Sequence, residues 1–239
     1  PRSQARILSG IKSFFHFLTV ADYLETDPSE LLEGPKIGFK IPEVLTVEEI
    51  DRIISAVDMD KKEGQRNRAI LETLYSCGLR VSELCNLKLS DLYFEEGFIK
   101  VEGKGSKQRL VPISPRAIKE IKYWLTDRNL GKIKKGYEDY VFLARWGNNI
   151  SRIMVFHMIK ELAEKTGITK NISPHTFRHS FATHLLEGGA NLRAIQCMLG
   201  HESIATTEIY THIDRNMLRS EIIEHHPRNI KYRKERGIY

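Results

Sequence analysis

Two arginines, each near the start of a predicted helix, could bind a phosphate group. Arg80 lies two residues after Gly78, where one predicted helix stops and a short one over residues 81–87 begins. Arg178 lies three residues after His175 on another predicted helix, so these two side chains share a face. A guanidinium holds two non-bridging phosphate oxygens at once, and a helix N-terminus adds partial positive charge. Either arginine alone would be read as a surface or packing residue, but the pair indicates an anion site.

Four further side chains complete a set for attack on a phosphodiester. Tyr210 offers a hydroxyl nucleophile, and a free tyrosine, with a pKa of about 10, needs a base. His175 is the candidate base, and His201 is a third donor to the phosphate oxygens. Lys104, between two glycines at a predicted hairpin tip, could protonate the leaving 5′-oxygen. Singly, such a lysine is usually solvated and such a tyrosine is usually part of a core.

Three histidines on one predicted helix, His175, His179 and His184, could instead hold a metal ion. No aspartate or glutamate lies between Ile172 and Leu186 to complete that site, and no glutamate-containing zinc-protease pattern is present. The sequence also lacks an evident carboxylate cluster suited to Mg²⁺. We therefore expect chemistry without a metal or another cofactor.

The elements that position these residues are predicted mainly as helices. A strand pattern over residues 92–113 predicts a β-hairpin whose tip carries Lys104, and residues 140–143 could form another strand. A capping box of Thr46 and Glu49 marks the start of a helix and of a new domain. The other expected helices cover residues 2–19, 66–76, 81–87, 115–127, 150–165, 174–188, 191–199, 203–211 and 214–226.

The composition is that of a globular protein with one or two domains. The chain has 239 residues, of which 41% are apolar, and a formal net charge of +6. No apolar run approaches the length of a membrane-spanning helix, and the first residues do not form a signal peptide. The three cysteines are widely spaced, which argues against a secreted disulfide scaffold. These observations exclude the disordered and membrane classes and favour the cytoplasm.

The distribution of charge says more than its total. The first 40 residues hold five basic and five acidic side chains, so the excess lies downstream. It concentrates in residues 100–109, 132–135 and 228–236. Beside Lys104, the predicted hairpin carries three further basic residues that suit a DNA groove or backbone: Lys100, Lys107 and Arg109.

The chemistry-bearing residues resemble the catalytic pattern of the tyrosine recombinase (phage integrase-like) family. That pattern reads Arg, Lys, His-x-x-Arg, His or Trp, and Tyr. It is matched in order by Arg80 in Gly-Leu-Arg-Val-Ser-Glu-Leu, Lys104 in Gly-Lys-Gly-Ser-Lys, His175 with Arg178, His201 in Leu-Gly-His, and Tyr210 in Ile-Tyr-Thr-His. The segment around His201 and Tyr210 and the motif His-His-Pro-Arg ending at Arg228 are similar to the Xer site-specific recombinases.

The resemblance implies a fold and a mechanism. The fold is α+β and mainly α-helical, with a small antiparallel sheet in a catalytic domain that closes with a helical core-binding domain around DNA. Tyr210 would form a 3′-phosphotyrosyl bond and release a 5′-hydroxyl, with no need for ATP or metal. The implied partners are a double-stranded recombination site, three other protomers in a homo- or hetero-tetramer, and a DNA translocase. The implied role is DNA integration or chromosome-dimer resolution in chromosome partition.

The resemblance also implies domain boundaries. Residues 1–33 would be the C-terminal part of a SAM-like core-binding domain, which we expect to be truncated because the chain opens on Pro1. Residues 34–42 would be a linker, and residues 43–228 the catalytic domain that breaks and rejoins DNA. Residues 229–239 would be a basic tail that either contacts DNA or forms a solvated end.

Two other functions remain open at this point. A type IB topoisomerase-like enzyme would use the same chemistry to relax DNA, although the Xer-like C-terminal motif argues against it. A non-catalytic DNA-binding module would use only the basic face. The presence of Tyr210, Lys104 and both arginines argues against that module.

Overall fold

A computed structural model of the chain describes residues 2–35, 43–103, 107–200 and 215–235. It divides the chain into two compact units, Pro1–Ile41 and Pro42–Tyr239. Among the described residues, no helix is both long and apolar enough to cross a membrane.

The first unit is built on helix α1, Arg2–Val20, close to the predicted bounds. After α1 the chain returns along the helix in a series of turns, and the Lys12 side chain donates to the carbonyl of Glu30 at 3.2 Å. The backbone N–H and the hydroxyl of Ser29 both donate to the carboxylate of Asp27, at 2.8 and 2.6 Å. These bonds hold the turn segment against its own helix.

Nine of the described helices belong to the second unit. They are α2 Val47–Ser55, α3 Gly64–Cys77, α4 Val81–Cys85, α5 Pro115–Leu130, α6 Arg152–Lys165, α7 Pro174–Glu187, α8 Leu192–Leu199, α9 Arg215–His225 and α10 Pro227–Glu235. The helix expected over residues 203–211 lies outside the described residues. The mainly helical character expected from the sequence is confirmed.

Local sequence signals explain where several helices begin. The Thr46 hydroxyl accepts from the backbone of Glu49 at 3.2 Å, and the Glu49 carboxylate accepts from the backbone of Thr46 at 2.8 Å. This capping box starts α2, and the flanking Leu45 and Ile50 are fully buried as a staple. Helix α7 begins with a proline, which suits the first position of a helix because it has no N–H to leave unpaired.

The sheet has three antiparallel strands in the order β1 Leu92–Tyr93, β2 Phe98–Glu102 and β3 Gln108–Pro112. Strands β2 and β3 form the predicted hairpin, in which Phe98 pairs with Pro112 and Glu102 with Gln108. The backbone of Gly103 donates to the carbonyl of Lys107 at 2.8 Å, which closes the hairpin just before its tip. The tip residues 104–106 lie outside the described part of the chain.

The strand predicted over residues 140–143 is not formed. Tyr140 and Leu143 each make only an isolated bridge, to Lys88 and Asn149 respectively. Val141 and Phe142 are fully buried, so the apolar run reports burial in the core rather than a place in the sheet.

Helix α3 lies at the centre of the second unit and packs against α5 and α7. Nearly all of its side chains are buried, including Ile70 and Leu74, and Phe177 and Phe181 of α7 are fully buried beside them. Each such side chain contributes about 1.5–3 kcal/mol through burial. The core therefore fixes the C-terminal end of α3 and the N-terminal half of α7 in one body.

Helix α10 crosses the domain boundary expected between residues 228 and 229. The Arg228 side chain is 1% exposed, pairs with Asp51, lies 3.0 Å from a carboxylate oxygen of Glu72, and stacks on the Tyr75 ring at 5.5 Å. Asn229 is also buried. Arg228 and Asn229 therefore pack into the catalytic unit, whereas Ile230, Lys231 and Lys234 farther along α10 are exposed.

Candidate active site

The turn between α3 and α4 fixes the position of Arg80. Gly78 ends α3 with a φ of 57°, and a Cβ there would lie 2.4 Å from the ring of Phe181. This left-handed turn needs glycine, because a larger residue would be strained and would collide with α7. Arg80 directly precedes α4, and its backbone N–H donates to the carboxylate of Glu83 at 2.8 Å.

Arg178 reaches the same turn from α7. Phe177, the residue before it, is fully buried, which anchors this part of the helix in the core. Nη1 of Arg178 donates to the carbonyl of Gly78 at 2.7 Å, and Nη2 donates to the carbonyl of Leu199 at 2.5 Å. The Gly78 turn thus fixes the position of Arg80, which follows it by two residues, and its carbonyl holds the Arg178 side chain.

Glu83 joins Arg80 to a third arginine, Arg109 of β3. Its carboxylate is 1% exposed and accepts from Nη1 of Arg80 at 2.8 Å and from both terminal nitrogens of Arg109 at 2.8 and 3.0 Å. Burial opposes the ionised form, but the two arginines outweigh burial and hold the pKa of the Glu83 carboxyl below its usual range. Glu83 is therefore a buried anion with strong donors on both oxygens.

The C-terminal end of α8 offers three carbonyls, and each accepts from a different arginine. The pairs are Met198 with Nε of Arg109 at 2.8 Å, Leu199 with Nη2 of Arg178 at 2.5 Å, and Gly200 with Nη2 of Arg80 at 3.1 Å. The last carbonyls of a helix lack partners within it and carry partial negative charge, so cations are favoured there. The bonds hold the stretch of backbone that leads directly into His201.

The cluster is positively charged. Three guanidinium groups contact one carboxylate, so its formal charge is +2. Burial lowers the pKa of Arg178 to about 10, with a further contribution from the positive charge of Arg80 that Glu83 opposes. Arg178 is still a cation at neutral pH. A partly buried net positive charge of this kind favours a bound anion.

Arg80 and Arg178 both keep N–H groups that could donate to such an anion. A guanidinium carries five N–H donors. Within the described residues, the side chains of Arg80 and Arg178 each donate two hydrogen bonds to the protein, which leaves three N–H groups on each. The internal bonds fix the planes of the guanidiniums, and the remaining donors suit the non-bridging oxygens of a phosphate.

In the described parts of the chain, no group of three or more His, Cys, Asp or Glu lies close enough to hold a metal ion. Of the histidines considered as ligands, His175 and His179 are exposed on α7. His184 instead has its Nδ1 2.8 Å from the hydroxyl of Tyr75.

Residues 43–217, which include this whole arginine cluster, match the phage integrase family model. The chain belongs to this family. The match spans the second compact unit from its first described residues into α9.

The recombinase has relatives that are longer than this chain. It is 43% identical over 227 residues to the tyrosine recombinase XerD of Staphylococcus saprophyticus, which covers 95% of this chain and 77% of the relative. The expectation of an enzyme that carries out site-specific recombination as a tyrosine recombinase is thereby confirmed. The topoisomerase and non-catalytic alternatives are set aside.

Solved structures agree with this assignment. The XerA recombinase is 36% identical, with a TM-score of 0.63 over 91% of this chain and 74% of that one. The XerH site-specific recombinase bound to its difH substrate in a post-cleavage complex is 30% identical, with a TM-score of 0.61 over 77% of this chain and 53% of that one. The predicted fold, a tyrosine recombinase catalytic domain with a small antiparallel sheet, is confirmed.

The structure brings together part of the predicted site. Arg80 and Arg178 meet at one end of α8, as described above. His175 lies exposed in the first turn of α7, three residues before Arg178. The remaining three predicted site residues, Lys104, His201 and Tyr210, lie outside the described residues.

The three hairpin residues predicted to contact DNA differ in their surroundings. Lys107 is exposed, and Lys100 pairs with Asp91 at 3.1 Å while keeping a third of its side chain exposed. Arg109 is buried instead, because its side chain is 5% exposed and bonded to Glu83. Its guanidinium therefore contacts the protein rather than the surface of the hairpin.

Sequence reasoning gave Glu83 no role. A signal was present, because a glutamate three residues after the residue that precedes a helix can accept from that residue's N–H. Arg80 and Glu83 have this spacing, and the backbone bond is formed at 2.8 Å. The spacing alone could not indicate the second partner, Arg109, which lies 26 residues away in the chain.

Proposed function

We propose that the recombinase cleaves and rejoins double-stranded DNA through a covalent 3′-phosphotyrosyl bond to Tyr210. The observation that carries the proposal is the arginine pair at the end of α8. Arg80 and Arg178 are fixed there by carbonyls of consecutive residues, and among the described residues each side chain has three N–H donors that make no bond to the protein. A scissile phosphate is the anion that two such donors fit.

In the proposed reaction, Arg80, Arg178 and His201 bind the non-bridging oxygens of the phosphate. Negative charge on these oxygens increases as the phosphorus becomes five-coordinate, so preorganised donors act most strongly in the transition state. The structural bonds of the two arginines serve this purpose, because donors that are already fixed need no reorganisation during reaction.

Two proton transfers accompany the bond changes. The Tyr210 oxygen attacks phosphorus while its proton passes to His175, and the bond from phosphorus to the 5′-oxygen breaks. Lys104 gives a proton to that leaving oxygen. The reverse step, with the 5′-hydroxyl of a partner duplex as nucleophile, releases Tyr210. One phosphoester is exchanged for another, so ATP is not consumed. None of the proposed steps uses a metal ion.

A groove beside Arg80 supports DNA as the substrate. It has a volume of about 680 Å³ and extends from Arg80 past Lys88 and Lys100 to Gly103, next to the hairpin tip. Lys88 is exposed along it. The lining of the groove is mixed in charge, because Glu83, Asp91 and Glu102 lie along it as well. A polar groove that reaches Arg80 and carries the exposed Lys88 suits the backbone of one DNA strand.

The biological setting is proposed from the relatives. Xer-type relatives suggest a homo- or hetero-tetramer of recombinase subunits on two recombination sites in the cytoplasm, with a DNA translocase as an activating partner. The resemblance to the Xer recombinases, together with the similarity to tyrosine recombinase XerD, is the basis for proposing chromosome-dimer resolution as the cellular role.

The test uses covalent capture. A pool of nicked duplexes with a randomised core is incubated with the full chain, and covalently bound strands are recovered and sequenced. Wild type should become attached to the 3′ end of a cleaved strand, whereas Tyr210→Phe should form no adduct. Lys104→Ala should regain cleavage on a 5′-bridging phosphorothiolate, whose leaving group needs no proton. An adduct formed by Tyr210→Phe would refute the proposed nucleophile.

A further inference from the structure

Arg109 connects three elements of the catalytic unit from a buried position. It lies on β3, and its side chain is 5% exposed. Two terminal nitrogens donate to the two oxygens of Glu83 on α4, at 2.8 and 3.0 Å. Nε donates to the carbonyl of Met198 on α8, at 2.8 Å. The hydrogen bonds of one guanidinium therefore link the sheet to both helix ends at the site.

The geometry of these bonds requires arginine. Two parallel bonds to one carboxylate need the flat fork of a guanidinium, and a lysine ammonium cannot reproduce them while also reaching Met198. The fit is tight, since a Cβ on Gly200 would lie 3.2 Å from Cδ and Nε of Arg109.

Arg109 bonds to Glu83 and to the end of α8, the two groups that hold the phosphate-binding arginines. Glu83, which Arg109 holds, also accepts from the backbone and the side chain of Arg80. Met198, which it holds as well, directly precedes the two carbonyls that fix Arg178 and Arg80. A change at Arg109 would therefore shift both arginines and the backbone that leads into residue 201.

We infer that Arg109 is a positioning residue, which sets the places of Arg80 and Arg178 through Glu83 and the end of α8 and does not contact DNA. The inference rests on the proposed function, because the proposed function assigns binding of the scissile phosphate to Arg80 and Arg178. Its effect is on rate, since misplacement of a catalytic group by about 1 Å can lower a rate on the order of 10²-fold.

The test separates DNA binding from the chemical step. Variants Arg109→Lys and Arg109→Gln are compared with wild type for affinity to a captured duplex over a series of salt concentrations. Formation of the covalent adduct is followed in a single turnover at saturating DNA. We expect both variants to form adduct about 10²-fold more slowly. We expect affinity within twofold of wild type and an unchanged salt slope.

Two control variants calibrate the binding measurement. Lys107→Gln removes an exposed charge from the same hairpin and should lower the salt slope by about 0.9, as loss of one phosphate contact does. Lys165→Gln removes a charge that is paired with Glu161 on α6 and should leave both the slope and the rate unchanged. If the Arg109 variants lower the slope as Lys107→Gln does, Arg109 contacts DNA and the inference is wrong.

A double variant guards against simple loss of folding. Glu83→Gln with Arg109→Met removes both members of the most buried of the ion pairs that Glu83 makes. Arg80, which loses its carboxylate partner, keeps its bond to the carbonyl of Gly200 and a partly exposed side chain. We expect it to retain the wild-type unfolding midpoint and DNA affinity but to form adduct as slowly as Arg109→Lys, and a 5′-bridging phosphorothiolate should not restore its rate. A wild-type rate in Arg109→Lys or in the double variant would overturn the inference alone. A wild-type chain that forms no adduct would overturn the proposed function and the inference with it.

Discussion

Glu83 is the carboxylate around which the arginines are arranged. Its two oxygens accept four hydrogen bonds, two from Arg80 and two from Arg109. A carboxylate taken out of water is costly unless donors fill its lone pairs, and here they do. Glu83 therefore both neutralises part of the positive charge and fixes the direction in which Arg80 presents its remaining N–H groups.

Replacement of Glu83 by glutamine should separate these effects from side-chain shape. The variant keeps the volume but removes the anion and places an amide NH₂ group against an arginine donor. We expect it to lose about 3–5 kcal/mol in the free energy of unfolding at pH 7, the usual cost of removing one partner of a buried pair. Denaturant unfolding would measure the loss.

The pH dependence provides the control for Glu83→Gln. The pKa of Glu83 is lowered from an ordinary value of 4.5, so its stabilisation is present above that pH and is lost as the pH falls through the lower folded-state value. The gap between wild type and variant should therefore narrow in acid. A gap that stays constant from pH 7 to pH 3 would show that the ionised form of Glu83 contributes nothing.

Single elements show what the sequence could and could not predict. Helix α2 was predicted from Thr46 and Glu49, and α3 was predicted to stop at Gly78, because those signals act within a few residues of chain. The Glu83–Arg109 pair could not be predicted. The local sequence around an arginine does not tell whether its side chain is buried or solvated. Here the approach of β3 to α4 decides it.

The Gly78 turn is the element on which both phosphate-binding arginines depend. We expect Gly78→Ala to destabilise the protein by about 1–3 kcal/mol, because alanine is strained at a φ of 57° and its Cβ would overlap the Phe181 ring. Adduct formation should fall further than the folded fraction does, since the carbonyl of Gly78 holds Arg178. Thermal unfolding and single-turnover cleavage would measure the two effects.

Gly167 provides the matched control for Gly78. It has a φ of 68°, but a Cβ there would meet nothing within 4 Å. Gly167→Ala should therefore show only the backbone strain, about 1–2 kcal/mol, and an unaltered cleavage rate in the folded protein. Equal losses of stability and rate in the two variants would mean that the overlap with Phe181 and the bond to Arg178 have no effect.

At the scale of the whole molecule, the described C-terminal helices close the catalytic unit through a buried histidine between α9 and α10. The ring of His226 is fully buried and lies against the rings of Tyr75 and Phe181, at 4.7 and 5.5 Å. The backbone N–H of Arg228 donates to Nδ1, so Nε2 carries the proton and donates to the carbonyl of Tyr75 at 3.2 Å. A second proton on Nδ1 would face an N–H group.

This arrangement predicts that the folded protein loses stability in mild acid. Burial, with the nearby charge of Arg228, lowers the pKa of His226 to about 3 from an ordinary 6.5. Between these values the unfolded chain binds a proton that the folded chain does not, so stability falls as the pH falls below 6.5, by up to about 1.4 kcal/mol per pH unit. Burial also lowers the pKa of His184, which acts in the same direction.

Denaturant unfolding of the full chain at pH 7, 6 and 5 would measure this slope. His226→Asn retains a polar side chain that can accept from Arg228 but does not titrate, so its stability should fall less steeply than that of wild type over this range. His157→Asn removes an exposed histidine of α6 and should leave the wild-type slope unchanged. If His226→Asn kept the full slope while His157→Asn reduced it, the acid sensitivity would belong to exposed histidines and not to the buried contact between the C-terminal helices and the core.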